Sequence, residues 1–131
     1  MAHSKFGIRT GGEVVIEGLE IIGDSTTGIA ITAAMCDTAD TTKIVIKDNF
    51  IHGMVGGFSA WGSGSFCTDT GEVARSENIE IIGNEFYNLG NPDEYNGFGV
   101  YLEGLSDWSA AGDQFAAKIE NNIFKDIIGS P

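Results

Sequence analysis

Four segments of the chain carry one pattern, and that repetition constrains the fold more than any single residue does. They are VVIEGLEIIGD (Val14 to Asp24), KIVIKDNFIHG (Lys43 to Gly53), NIEIIGNEFYN (Asn78 to Asn88) and AAKIENNIFKDI (Ala116 to Ile127). Superposed, they put Ile16, Ile46, Ile81 and Ile119 in one column. Leu19, Asn49, Asn84 and Asn122 fall in a second, and Ile21, Ile51, Phe86 and Phe124 in a third. A unit of this kind hides its apolar face only against its neighbours, so the repeats are expected to stack.

Within each repeat the apolar residues alternate, as in Val14 and Ile16, Ile44 and Ile46, and Ile79 and Ile81. A period of two with β-branched residues predicts strands. A short turn follows, Lys47-Asp48-Asn49 or Ile82-Gly83-Asn84, then a second alternating piece. A third strand type aligns as Gly28 to Thr32, Gly57 to Trp61 and Gly97 to Tyr101, with Lys5 to Arg9 as an earlier member. The aligned isoleucines are 30, 35 and 38 residues apart, so unit length varies. The variation sits mainly after the third strand type, at 33–42, 62–77 and 103–116, in loops of the sort that carry function on a rigid scaffold. Only Ser106 to Lys118 has room for a turn or two of helix, as an insert.

The I-x-I-x-x-N-x-I/F pattern with Asn49, Asn84 and Asn122 aligned resembles the repeat of the right-handed parallel β-helix superfamily. That is the fold of pectate lyases, polysaccharide epimerases and phage tailspikes. The resemblance spans nearly the whole chain. It implies an all-β fold: a right-handed, single-stranded parallel β-helix of about four rungs, three strands per rung, with long loops at one corner. It also implies that Asn49, Asn84 and Asn122 stack as an internal ladder, which Leu19 ends before the first rung. One fold hosts many activities, so the resemblance speaks to architecture more than to function. A jelly-roll sandwich would instead need antiparallel hairpins, and Asn96-Gly97 is the one Asn-Gly or Asp-Gly turn between strands.

The length of 131 residues fits a single domain, 1–131, which can itself be a segment of a longer β-helix; Met1 to Ser4 reads as an expression remnant. No signal peptide or transmembrane run is visible, although the remnant leaves room for a removed export signal. Nineteen acidic residues against seven basic ones leave a net charge of −12. Such a surface repels nucleic acid and anionic membranes, and acidic polysaccharides without a bridging cation. It suits an extracellular or phage-like assembly. Cys36 and Cys67, in the similar contexts AMCDT and SFCTDT, fall in equivalent loops of adjacent units. They read either as a disulfide between units or as two free thiols.

Alternation assigns the outer face. With Ile8, Ile31, Ala60 and Val100 inward, Arg9, Thr32, Trp61 and Tyr101 are expected to form one outward column. Aromatic faces flanked by hydrogen-bonding groups suit a glycan ligand, because sugar C–H surface stacks on the rings. The competing reading buries Trp61 and Tyr101 under the long loops. A second outward column is Ile22, His52, Tyr87 and Lys125. His52, Tyr87 and Lys125 are the candidates for acid–base chemistry of the kind a lyase or epimerase needs, against the reading of a solvated sheet surface. Glu17 beside Lys47 and Glu80 beside Lys118 are expected as ion pairs between repeats. Asp37, Asp69 and Glu103 are the metal candidates in the acidic loops, for calcium as a hard cation taking oxygen ligands. No D-x-D-x-D-G loop is present.

A stack of this size would be about 15–20 Å tall with two bare ends. The expected partner is therefore a second copy of the chain meeting it at an end face. Function reads as a non-catalytic module, structural or carbohydrate-contacting. The alternative is a polysaccharide lyase or epimerase acting on uronate-containing glycans, which the missing paired-Asp, Gly-His-Gly and Arg-Ile-Lys signatures make harder to support.

Overall fold

The computed structural model describes residues 4–8, 13–23, 28–34, 43–61, 78–103 and 117–129. All regular structure in them is strand. In chain order the strands are β1 (Ser4–Ile8), β2 (Glu13–Glu17), β3 (Glu20–Ile22), β4 (Ile29–Ala34), β5 (Lys43–Lys47) and β6 (Phe50–Met54). They continue with β7 (Gly56–Trp61), β8 (Asn78–Ile82), β9 (Glu85–Leu89), β10 (Phe98–Glu103), β11 (Ala117–Glu120) and β12 (Ile123–Ile127). They form three four-stranded sheets, ordered β1-β4-β7-β10, β2-β5-β8-β11 and β3-β6-β9-β12. Every described pairing is parallel. The chain visits the sheets in strict rotation, which is consistent with a parallel β-helix and excludes the sandwich for these strands. Asn96-Gly97 makes no hairpin, because β9 and β10 lie in different sheets.

The repeat columns survive as strand registers. Ile16 lies beside Ile46, Ile46 beside Ile81, and Ile81 beside Ile119. Ile21, Ile51, Phe86 and Phe124 are neighbours in the same way. The inner members of both columns, Ile46, Ile81, Ile51 and Phe86, are fully buried with Ile44, Ile79, Met54 and Leu89. The turn before each ladder residue is left-handed: Gly18, Asp48, Gly83 and Asn121 have φ of 69, 52, 68 and 55°. Gly, Asn and Asp tolerate that region better than other residues, so three different residue types hold one conformation.

The Asn ladder forms. Asn49 Nδ2 donates to the Ile16 carbonyl at 2.9 Å and to Asn84 Oδ1 at 3.0 Å. Asn84 Nδ2 donates to the Ile46 carbonyl at 2.8 Å and to Asn122 Oδ1 at 3.0 Å. Each Oδ1 also accepts the backbone N–H of the preceding member: Leu19 on Asn49, Asn49 on Asn84 and Asn84 on Asn122. These amides thus satisfy turn groups that the sheets cannot reach.

The first sheet departs from the expected alignment by two residues. Thr32 lies beside Ser59, and Ser59 beside Tyr101; Trp61 lies between Ala34 and Glu103. Gly7 is beside Thr32, and Phe6 beside Ile31. Thr32 and Tyr101 therefore share a column, with Ser59 between them, and Trp61 stands outside it; Arg9 lies outside the described residues. The cause is local. Ala30 and Ile31 are both fully buried in the core, so strict alternation fails at the start of these strands. At the next position up, a Cβ on Gly57 would lie 2.4 Å from the Phe86 ring, and one on Gly99 2.4 Å from the Phe124 ring. Gly57 and Gly99 are the small residues over which Phe86 and Phe124 lie. Phe86 and Phe124 stack there with ring centroids 5.0 Å apart and planes 5° from parallel.

Candidate functional site

The outward face of the third sheet carries the most complete set of polar and aromatic groups. Its last three strands follow the Asn turn, and each has a left-handed residue at its penultimate position, Gly53, Asn88 and Asp126, with φ of 70, 51 and 54°. Between those two fixed points alternation holds, so Ile22, His52, Tyr87 and Lys125 stand in one column as expected. His52 Nε2 is 3.0 Å from Glu20 Oε1 across the strand gap. The Phe50 ring stacks on the imidazole at 4.2 Å with an interplanar angle of 27°. One repeat further, Lys125 Nζ lies 5.6 Å from the centre of the Tyr87 ring, a cation–π contact.

These contacts orient the imidazole. Glu20 accepts from one ring nitrogen and Phe50 holds the plane, so Nδ1 is the nitrogen left for another partner. The carboxylate that orients His52 is two residues before Ile22 in the preceding repeat. Sequence reasoning missed it, although the column Glu20, Phe50, Glu85, Ile123 was available from the same alignment.

The other expected groups are placed as follows. Thr32 is half-buried and Tyr101 exposed, with fully buried Ser59 between them. Among the described residues the Ser59 hydroxyl has no hydrogen-bond partner. Arg9, Asp37, Asp69, Cys36, Cys67 and the segment 106–116 lie outside the described residues, as do the side chains of Trp61 and Glu103. Glu103 ends β10 opposite Trp61. Among the described residues no three His, Cys, Asp or Glu side chains are grouped to hold a metal ion.

The second sheet carries ion pairs. Lys47 Nζ is 3.1 Å from Glu17 Oε1 and 3.6 Å from Asp48 Oδ2. The hydrogen bond and charge of Glu17, then the charge of Asp48, raise the Lys47 pKa above its ordinary 10.5. The expected Glu80–Lys118 pair is not made, although the two are in register. Glu80 instead takes Lys43 at 3.3 Å, and Lys118 takes Glu120 on its own strand at 3.3 Å.

No protein-family model, curated protein or solved structure matches this chain.

Proposed function

We infer that the chain is a non-catalytic module of the right-handed parallel β-helix superfamily, of four rungs, that self-associates through an end face and presents its sides to a glycan or a larger assembly. Strict rotation through three parallel sheets supports the coil, and the general right-handedness of parallel crossovers supports its hand. The observation that carries self-association is the state of the core columns at their ends. Inner members Ile46, Ile81, Ile51 and Phe86 are fully buried, whereas Ile119 is 46% and Phe124 47% exposed. At the opposite end the column members Ile16 and Ile21 stay half-buried and buried, while Leu19, in the ladder position, is 42% exposed. The interior columns run out into solvent at Ile119 and Phe124, and exposed apolar surface of this kind on an unpaired strand edge makes association favourable.

Light scattering at micromolar concentration tests this reading: a defined oligomer is expected, and a monodisperse monomer rejects it. Glycan contact is tested separately by thermal shift with neutral and calcium-bridged glycans. Trp61→Ala and Tyr101→Ala should each weaken binding; unchanged affinity in both removes the aromatic surface as the site.

The Glu20–His52 contact beside Tyr87 favours a second reading, a polysaccharide lyase or epimerase using His52 as base. A lyase raises ultraviolet absorbance as unsaturated ends form on uronate polymers, and an epimerase exchanges the C5 proton with solvent. Absence of both, or their persistence in His52→Ala, rejects it.

A further inference from the structure

Both ends of the stack are apolar, so hydrophobicity alone does not decide which one a second copy uses. Charge does. Resting on the end-face association inferred above, we propose that two copies join at the β10–β11–β12 end about a twofold axis. In this arrangement β11 pairs antiparallel with β11 of the second copy, centred on Ile119.

The argument compares the three ways in which two copies can meet end to end. Opposed residues of an antiparallel pair face the same side of the sheet, so the twofold must fall on a residue. At the β1–β2–β3 end, full overlap of β2 centres on Val15 and sets Glu13 against Glu17 of the second copy, twice over. Like charges directly opposed are destabilising. Head-to-tail stacking continues the existing registers. It sets Glu17 of the second copy over Glu120, and Val15 over Lys118, by extension of the pairs Glu17–Lys47 and Lys118–Glu80. It also sets Leu19 over Asn122. Leucine offers no oxygen for the Asn122 backbone N–H, which has no acceptor among the described residues, so the amide ladder would break at the joint.

At the β11 end the outcome is opposite. The strand Ala117–Glu120 reads apolar, Lys118, Ile119, Glu120. Centred on Ile119, each Lys118 faces Glu120 of the second copy, twice, and the two Ile119 side chains meet on the core side. Lys118 and Glu120 side chains are 53% and 52% exposed and already 3.3 Å apart, so a four-charge alternating cluster forms without burying either charge unpaired. The same axis carries β12 onto β10 of the second copy, strands of five and six residues, where half-exposed Phe124 meets the Val100 and Leu102 side of the strand. An isologous contact closes at two copies, while the head-to-tail contact would grow an open fibre.

Charge reversal on the full-length chain tests the proposal by sedimentation equilibrium. The wild type is expected to be a dimer. Lys118→Glu and Glu120→Lys should each weaken it about tenfold, and the double reversal should restore it. Circular dichroism checks that each variant is folded, as expected for exposed positions. A dimer indifferent to both reversals but dispersed by Leu19→Asp overturns this inference and leaves end-face association standing. Open-ended polymers also overturn it. A wild-type monomer overturns the association itself.

Discussion

Asn84 Oδ1 accepts two hydrogen bonds from Asn49, one from its backbone N–H and one from its side-chain Nδ2, each at 3.0 Å. Both residues are buried, so neither donor has water as a substitute. Asn84→Ala orphans these two donors together with the Ile46 carbonyl. It should cost about 3 kcal/mol in equilibrium denaturation. Asn122→Ala, at a half-buried position with solvent to compensate, should cost clearly less. Equal losses would show that the buried ladder carries no special weight.

Gly57 and Gly99 test the aromatic column. A methyl at Gly57 meets the buried Phe86 ring and the Gly99 carbonyl oxygen, both at 2.4 Å. For a methyl at Gly99 the nearest atoms are those of the Phe124 ring, which is 47% exposed in the single chain. Gly57→Ala should therefore destabilise by about 2 kcal/mol, and Gly99→Ala by less. The reverse order, read from melting temperatures, would mean that the Phe86–Phe124 stack yields more readily than its backbone support.

Ser59 is fully buried between Thr32 and Tyr101, and its hydroxyl has no hydrogen-bond partner among the described residues. Ser59→Ala removes an unsatisfied group and nearly conserves volume. The variant should be more stable by about 1 kcal/mol. A loss of stability on thermal denaturation would show that the hydroxyl is bonded in solution.

The Lys47 ammonium should titrate above 10.5, because Glu17 and Asp48 favour its charged form. A folded-state pKa raised above the unfolded one means that the contribution is complete below the unfolded value and disappears as pH rises through the folded one. Titration of the lysine Cε resonance by NMR checks this. Glu17→Gln should move the midpoint down toward 10.5. An unmoved midpoint would show that the pair with Glu17 does not persist in solution.

The second and third sheets were legible in the sequence because their columns are anchored twice, by the branched residues at Ile46 and Ile81 and by the asparagines three positions on. The column Ile22, His52, Tyr87, Lys125 followed from that anchor. The first sheet has no asparagine to mark its place. Its apparent marker, a glycine before each third strand, misled: Gly57 is the packing partner of Phe86, while the true neighbour of Phe98 is Gly56. Simple alternation could not reveal this, since Ala30 and Ile31 face the core in succession. The Glu20–His52 contact was missed for a different reason. It joins adjacent columns, and a column-by-column reading does not look sideways. Lys43 took Glu80 from the expected Lys118 in the same diagonal manner.

Leu19 also has a mechanical meaning. Bonds between successive repeats run along the stack, so a pull in that direction loads them in series and the thinnest joint parts first. The joint between the first and second repeats has one amide link fewer, and its β3–β6 seam spans only the three residues of β3. Under tension, the break should start at Leu19.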